Sequence, residues 1–561
     1  MARAAMCGVV PFLMVSVLFA APEAEFRAAW VSRFEWPTPD AAACKARIDG
    51  IMKSLAEHHF NAVMFQVRGQ CDTLYPSPEE PFSPFISPDG SDPGWDPMGY
   101  AIEAAHANKL EFHAYINTHV AWQDAARHRP AAAGHVFFKH FDAAGPQTCD
   151  WLVHNGEGRP LSWAADNYVW IAPGVPEAQA YTRRQVMYVV RHYDVDGVHF
   201  DRIRTPRADC SHDPISMARQ QSGAEGNPAG LDLDAWTNDQ FTRFLCDLYA
   251  QIAEVKPRVK VSSSPLGLVS RDRYPEYPAS FQYAVAKCHQ DAQAWLAAGA
   301  MDFVVPQIYW ADNDNRPPDF SRVLPDWLAH DAGRHIYAGQ TAGVGIAELI
   351  REVRVTRDLG GLGNVVFSFR SLDRRDGIAQ YSRPGGVYES DVPTPPMPWK
   401  DSPTDGIILG TVTDSGSGRP IVDAQIRREG SDYVALSSAD GVYSFLKVPP
   451  GKQRLTIRKH GLPGEHLADV IVAAGRVTRA DARLGEPPVV VVAAAEQPTP
   501  ATQPLITALP PVSTPAAGVT VVEIRLGRLS WLLIGLAIIC IVAAGIAAVW
   551  YVVKRTRDDE E

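Results

Sequence analysis

Eight short runs rich in β-branched and aromatic residues, each followed by a longer stretch, constrain the fold of this chain most strongly. The runs are residues 26–32, 62–68, 111–117, 195–201, 260–265, 302–310, 335–340 and 364–371. Amphipathic helical patterns lie between them at residues 41–59, 96–109, 176–193, 234–255, 290–298 and 346–359. This alternation is typical of a parallel sheet with helical crossovers. We therefore predict an α/β fold, a (β/α)8 TIM barrel, over residues 25–390.

An open, doubly wound sheet is the alternative architecture for the same alternation. Such a sheet usually binds a nucleotide at a glycine-rich turn after one of its strands. The chain has no GxGxxG or GxxxxGK turn after any of the eight runs. This absence favours the closed barrel.

A proline-rich stretch at residues 392–403 marks a change in the pattern. After it, short strand-like runs are separated by turns such as Ser417-Gly418 and Asp440-Gly441, which predicts a small all-β sandwich over residues 404–486. The runs are residues 407–412, 426–428, 434–437, 442–446, 452–459 and 470–474. Residues 487–520 are rich in Pro and Ala and poor in large apolar side chains, so we predict a linker there.

Both ends of the chain carry apolar segments. Residues 1–20 place Arg3 before a short apolar run that ends in small residues, which predicts a signal peptide, with a buried N-terminal helix as the alternative. Residues 531–553 are apolar and, at ~1.5 Å per residue, long enough for a single transmembrane helix. We therefore predict a single-pass membrane protein with its bulk in the periplasm or at the cell surface and residues 554–561 as a cytoplasmic tail.

Composition excludes several classes of partner. The net charge of −11 comes from scattered carboxylates, and no basic stripe is present, so we expect no nucleic-acid partner. Eight cysteines occur without a CxxC pair, and no His, Asp or Glu spacing demands a metal, so we predict neither metal nor cofactor. Disulfide pairing and oligomeric state stay open.

Polar and aromatic side chains end several of the predicted strands. In a (β/α)8 barrel these ends converge on one mouth, where hydrogen-bonding groups and flat rings suit a sugar. The predicted substrate-binding residues are Gln66, Arg68, His113, Asn117, His199, Ser264, Gln307, Tyr309 and Trp310, and the predicted catalytic residues are Asp201, Asp72 and Asp312.

Each of these residues also has a purely structural interpretation. Asp201 caps the next helix or pairs with Arg202, and Asp72 serves a turn. His113 and His199 are hydrogen-bonded residues of the barrel core, and the rings of residues 309–310 are packing groups. The prediction depends on their joint placement at strand ends.

The barrel sequence resembles the glycosyl hydrolase-like 10 family, also described as the YngK-type domain. The resemblance covers nearly all of residues 25–372 and rests on FRAAWVS, FNAVMFQVRGQCDTLYPS, HAYIN, VDGVHFD, SSSPLG and PQIYW, in the order of the family. Residues 404–486 separately resemble a carboxypeptidase regulatory-like domain, through GTVTDSGSGRPIVDAQI and SSADGVYSFLKVPPGKQRLTI.

The resemblance implies a glycoside hydrolase that acts on polysaccharide, with the glycan strands of peptide-free peptidoglycan as the favoured substrate. Asp201 matches the strand-four aspartate of the family and is the predicted acid; Asp72 or Asp312 is the second carboxylate, unless a substrate N-acetyl group replaces it. The sequence departs from the family pattern at Thr118 and Arg202. Arg202 favours a second hypothesis, an inactive membrane-tethered glycan-binding protein.

Overall fold

The computed structural model describes residues 22–123, 129–142, 150–161, 167–223, 225–312 and 317–485. The predicted signal peptide, linker, transmembrane helix and cytoplasmic tail all lie outside these ranges. Within the described ranges, no helix is both long and apolar enough to cross a membrane.

Most strands of the N-terminal region pair in parallel to form one curved sheet. The strands of this region are β1 (Phe26–Val31), β2 (Ala62–Arg68), β3 (Glu111–Asn117), β4 (Val120–Gln123), β5 (Tyr168–Trp170), β6 (Gly197–Asp201), β7 (Lys260–Ser263), β8 (Phe303–Val304), β9 (His335–Ile336), β10 (Ala338–Thr341) and β11 (Gly363–Phe367). All except β4 and β5 join the sheet, in the order β10-β11-β1-β2-β3-β6-β7-β8-β9. Because β9 and β10 are separated only by Tyr337, the two ends of this order meet in one interrupted strand. The sheet is therefore a nearly closed parallel barrel, as predicted.

Helices follow the strands and cover the outside of the barrel. They are α1 (Ala41–Glu57), α2 (Pro97–Ala107), α3 (Val136–His140), α4 (Pro176–His192), α5 (Pro214–Gln221), α6 (Leu233–Val255), α7 (Ala284–Cys288), α8 (Ala292–Ala298), α9 (Phe320–Leu328), α10 (Ile346–Asp358), α11 (Phe369–Asp373), α12 (Ala379–Ser382) and α13 (Pro398–Asp401). Aspartates begin several of them: Asp40, Asp96 and Asp232 each accept a hydrogen bond from a backbone N–H in the first turn of α1, α2 and α6. The sequence analysis did not predict α9, which contains Pro325.

A long insertion follows β3 and has a core of its own. Residues 118–175 contain the antiparallel pair β4 and β5, in which Gln123 lies opposite Tyr168. Buried aromatic side chains, including Trp122, Phe137 and Trp170, form a cluster separate from the main barrel core. The insertion is therefore a small folded layer beside the carboxyl ends of the barrel strands.

Two sheets, one mixed and one antiparallel, follow the barrel and confirm the predicted all-β region. Their strands are β12 (Gly406–Asp414), β13 (Gln425–Arg428), β14 (Val434–Leu436), β15 (Val442–Val448), β16 (Gly451–Arg458), β17 (His466–Val472), β18 (Val477–Arg479) and β19 (Ala482–Leu484). One sheet has the order β15-β12-β18, with β19 also on β12, and the other has the order β14-β13-β16-β17. Ile408, Tyr443 and Leu455 belong to the core between them. The short strands β18 and β19 were not predicted.

The sandwich packs on the barrel through charged and polar contacts. Arg219 of α5 donates hydrogen bonds to both carboxylate oxygens of Asp423, at 2.9 and 2.6 Å. The proline-rich stretch between the two regions is also held, because Trp399 Nε1 donates to Asp302 Oδ1 at 2.8 Å and Lys400 Nζ lies 3.1 Å from Asp302 Oδ2. Barrel and sandwich belong to one compact unit.

Candidate active site

The carboxyl ends of the barrel strands surround a cavity of about 270 Å³. Side chains from β1, β2, β3, β6 and β11, from the insertion, and from the segments after β7 and β8 line it. They are Trp30, Ser32, Arg33, Phe34, Gln66, Tyr115, Asn117, Tyr168, Asp201, Arg202, Ser264, Gln307, Tyr309 and Phe367. The position matches that of active sites in (β/α)8 barrels.

Asp201, at the end of β6, is the one carboxylate among the described residues that line the cavity. Tyr115 Oη donates to its Oδ2 at 2.9 Å, and the backbone N–H of Arg202 donates to its Oδ1 at 2.7 Å. Burial and the charge of Asp201 raise the pKa of Tyr115 well above its ordinary value, so the phenol stays a donor. The side chain of Asp201 is 14 % exposed, and the carboxylate is therefore fixed yet open to a ligand.

Barrel side chains of β3 and β6 occur in layers, which decides which of them reach the cavity. Paired residues are His113 with Gly197, then Tyr115 with His199, then Asn117 with Asp201. Since alternate residues of a strand point to the same side, each pair belongs to a successive layer. Only the third layer and Tyr115 line the cavity. His113 and His199 lie deeper.

His199 is a buried support for the cavity floor. Its Nε2 lies 2.9 Å from Trp30 Nε1, and its Nδ1 lies 2.9 Å from Ser262 Oγ. An indole N–H only donates, so Nε2 is the acceptor and the imidazole carries its proton on Nδ1. Burial and the neighbouring His113 lower the pKa of His199 well below its ordinary value, which agrees with a neutral ring.

Amide side chains form a second part of the lining. Gln66 Oε1 accepts a hydrogen bond from the backbone N–H of Arg33 at 2.9 Å, and Asn117 Nδ2 donates to Gly69 O at 2.8 Å. Asn117 is 4 % exposed, and its Oδ1 has no hydrogen-bond partner among the described residues. A buried acceptor at the cavity surface is available to a ligand hydroxyl or amide.

Aromatic rings form the opposite side. Tyr309 stacks on Phe367, with ring centroids 6.0 Å apart and an interplanar angle of 22°, and meets Trp30 edge-on at 6.5 Å. Gln307 Nε2 donates to the carbonyl oxygen of Ser264 at 3.0 Å. Flat rings beside amide groups suit the apolar face and the hydroxyls of a sugar.

Half of the predicted residues meet at this cavity and half do not. Those that line it are Gln66, Asn117, Asp201, Ser264, Gln307 and Tyr309. Those that do not line it are Asp72, Arg68, His113, His199, Trp310 and Asp312.

Arg68 and Asp72 turn away from the cavity for local reasons. The pairing of β2 with β3 shifts between Gln66 and Arg68, and the fully buried Arg68 binds Glu80 at 2.6 and 2.8 Å. Asp72 accepts from the backbone N–H of Gln70 at 3.1 Å, in the turn geometry that sequence reasoning gave as the alternative.

Asp312 and Trp310 also serve the fold. Asp312 accepts a hydrogen bond from the backbone N–H of Ser321, in the first turn of α9, and forms an ion pair with Arg351 at 2.8 Å. Trp310 packs against Gly267, where an added Cβ would lie 2.8 Å from the indole. Neither side chain lines the cavity.

Sequence reasoning missed the contributions of β1 and of the insertion. Trp30, Ser32 and Arg33 lie at the end of β1, and the strand-end rule applied to that run would have found them. Glu35 also follows β1, and it accepts from Ser32 Oγ at 2.9 Å and from the backbone N–H of Arg370 at 2.8 Å. No sequence signal placed Tyr168, which the insertion brings in from a distant part of the chain.

A larger cavity, of about 1010 Å³, lies between the insertion, α4 and the sandwich. Its lining includes Trp151, Tyr181 and Asp440 but no residue of a barrel strand. We therefore place the candidate chemistry at the smaller cavity. Among the residues that the structure describes, no group of three or more His, Cys, Asp or Glu side chains could hold a metal.

Comparisons with known proteins show what this chain is similar to. The chain is 27 % identical over 422 residues to glycosyl hydrolase YngK of Bacillus subtilis, covering 70 % of this chain and 78 % of that protein. It is 25 % identical over 374 residues to glycosyl hydrolase DigH of Escherichia coli K12, covering 63 % and 80 %. The PgaB (BpsB) glycoside hydrolase domain of Bordetella bronchiseptica superposes with a TM-score of 0.46 at 14 % identity, covering 64 % and 97 %.

Sequence profiles of two families match separate parts of the chain. A carboxypeptidase regulatory-like domain matches residues 407–485, the all-β region. The glycosyl hydrolase-like 10 profile matches residues 25–342, which include every strand of the barrel except β11 and thirteen of the fourteen lining residues. The chain therefore belongs to the glycosyl hydrolase-like 10 family.

Proposed function

We propose that this family member hydrolyses the glycosidic bonds of an N-acetylated cell-wall polysaccharide, with peptide-free peptidoglycan strands as its substrate. The observation that carries the proposal is Asp201, a fixed and accessible carboxylate among amide and aromatic groups at the barrel mouth. Gln66, Asn117 and Gln307 hydrogen-bond the sugar, and Tyr309 contacts its apolar face.

The lining also favours a route to bond cleavage. Glycosidases usually use two carboxylates, but Asp72 and Asp312 lie outside the cavity, and Glu35 reaches it only through Ser32. In the proposed route Asp201 gives a proton to the glycosidic oxygen as the bond to the anomeric carbon breaks. The oxygen of the substrate's own N-acetyl group attacks that carbon. A water molecule then attacks the same carbon and opens the cyclic intermediate while the Asp201 carboxylate takes the proton of the water, which restores the acid form of Asp201.

Turnover of purified peptide-free glycan strands tests the proposal. Asp201→Asn keeps the size of the side chain and removes its proton chemistry, so we expect hydrolysis to fall by about a hundredfold or more. Asp49→Asn, on the outer face of α1, is the matched control and should cleave like the wild type. Equal rates for Asp201→Asn and the wild type would remove Asp201 from the acid role. Strands that are bound and never shortened would support the glycan-binding hypothesis, which the proximity of Arg202 to Asp201 favours.

We also propose that the protein is exported and held at a membrane by residues 531–553. The apolar length of that segment and its flanking Lys and Arg side chains support the proposal. A protein truncated to residues 24–487 should then fractionate as soluble without detergent, whereas the full chain should require it. Membrane association of the truncated protein would refute the anchor.

A further inference from the structure

Two arginines lie at a cavity whose described lining holds one carboxylate. Arg33 follows β1, and Arg202 follows Asp201 at the end of β6. Neither is required by the proton transfer proposed above. Their placement bears on the charge of the ligand.

Arg33 is buried without an acidic partner. Its side chain is 2 % exposed, and no carboxylate of the described residues lies within ion-pair distance of its guanidinium. Nη2 donates to Gln123 Oε1 at 2.5 Å, while Nε has no hydrogen-bond partner among those residues. The guanidinium lies across Gly69, where a Cβ would come within 2.2 Å of Nη1, so the glycine makes room for it.

Arg202 reaches the same wall of the cavity. Its guanidinium lies over the ring of Tyr168, 4.7 Å from the centroid, and its Nε is 3.9 Å from Asp201 Oδ2. Gln123, which holds Arg33, and Tyr168 are opposite residues of the β4 and β5 pair. Such residues have Cα atoms about 5 Å apart, so the two side chains that contact the guanidinium groups are neighbours on one strand pair.

The electrostatics of the pair agree with the geometry. Burial lowers the pKa of Arg33 from its ordinary value. The charge of Asp72 opposes this effect, and the charge of Arg202 adds a smaller contribution in the same direction as burial. The described lining of the cavity includes both guanidinium groups and Asp201. An anion bound beside Arg33 would give its Nε the acceptor that the described residues do not supply.

We propose that Arg33 and Arg202 bind a carboxylate of the sugar and make the cavity selective for acidic glycans. The inference rests on the proposed function and names its substrate more closely. In peptide-free peptidoglycan each N-acetylmuramic residue carries a free lactyl carboxylate, whereas an attached peptide turns that group into a neutral amide. The pair therefore selects strands from which an amide-hydrolysing reaction has already removed the peptide.

Matched ligands test this selectivity. Binding and turnover by the full-length protein are measured with glycan strands that carry the free lactyl acid and with the same strands converted to the methylamide. Strands that alternate N-acetylglucosamine with a uronic acid supply a carboxylate at another position. We expect at least about tenfold preference for the lactyl acid over its amide, which is typical of one charge-assisted hydrogen bond. A matching preference for the uronic acid would identify that sugar as the source of the carboxylate.

Variants connect the preference to the two arginines. Arg202→Gln and Arg33→Gln should each bring the ratio of acid to amide close to one. Arg204→Gln is the control, since Arg204 contacts Trp170 of the same insertion but does not line the cavity, and it should keep the ratio. Equal binding of acid and amide by the wild type, or a ratio that survives both cavity variants, would overturn the inference. Cleavage of acid and amide alike would leave the proposed function intact, whereas acid-selective binding without cleavage of any strand would overturn the function alone.

Discussion

Asp247 of α6 lies at the contact between the barrel and the sandwich, and Asp247→Asn tests how burial controls its charge. Asp247 is 6 % exposed; its carboxyl accepts from Ser444 Oγ at 2.8 Å and lies 3.8 Å from Arg183 Nη1. Arg183 Nη2 is bound to Asp440 at 2.5 Å. One guanidinium thus serves two carboxyls, and burial, which Arg183 and Ser444 only partly offset, raises the pKa of Asp247 to about 7.

The raised pKa fixes the sign of a pH dependence. Between about pH 4 and about pH 7 the unfolded chain has lost the Asp247 proton and the folded chain keeps it, so the free energy of unfolding falls as pH rises. Each pKa unit corresponds to about 1.36 kcal/mol, so the rise from 3.8 to about 7 corresponds to roughly 4 kcal/mol. Asn has no such proton. The stability of Asp247→Asn relative to the wild type should therefore increase across this window by up to about 4 kcal/mol.

Urea unfolding of both proteins over this pH range, followed by circular dichroism, measures the difference. Asp440→Asn is a second test, because without the Asp440 carboxylate Asp247 is the remaining acidic partner of the two that share Arg183. Removing that competitor should lower the pKa of Asp247 and flatten the pH dependence of stability. Parallel stability curves for the wild type and Asp247→Asn would refute the reasoning, since they would mean that the carboxyl titrates alike in the folded and unfolded chains.

Two further predictions concern packing inside the barrel. Gly197→Ala would place a Cβ 2.2 Å from His113 Nδ1 and should lower the free energy of unfolding, measured by urea titration, by about 1 to 3 kcal/mol. The control is Gly50→Ala, in open space on α1, which should instead raise the free energy of unfolding by up to about 1 kcal/mol. Equal changes in the free energy of unfolding for the two glycine variants would contradict the layered packing of His113 against Gly197. Arg68→Met should lower the free energy of unfolding by about 3 to 5 kcal/mol, because it leaves Glu80 buried without its cation. Adding Glu80→Leu to this variant should restore part of that free energy.

The course of the strands was predictable because it depends on local pattern. Every predicted barrel run contains a strand, and aspartates such as Asp40 and Asp232 begin helices where the sequence places them. The helix α9 escaped prediction because Pro325 lies within it and the cap at Asp312 comes from outside the helix. Helical propensity alone gives little support to such a segment.

The candidate site was predictable only in part because depth inside a barrel is not a local property. His113, Tyr115 and Asn117 alternate identically along β3, yet only the last two reach the cavity. The sequence analysis chose His113 and Asn117 for their chemistry and passed over Tyr115. The strand-end rule applied to β1 would have placed Arg33 near the cavity. The way its side chain is held depends on Gly69 and Gln123, which belong to other segments, so that part could not be predicted from the β1 run.

The cavity is lined partly by the barrel strands and partly by the insertion after β3. Asp201 and Tyr115 stand on barrel strands, whereas Tyr168 stands on a layer with its own hydrophobic core. Thr118, the first residue of the insertion, donates its backbone N–H to the carbonyl oxygen of Asp201 at 3.0 Å, whereas the rest of the layer is separate from the β3–β6 pairing that holds the carboxylate. For a protein engineer, exchanging residues 119–175 between relatives is therefore a direct way to change the insertion side of the cavity while Asp201 stays in place.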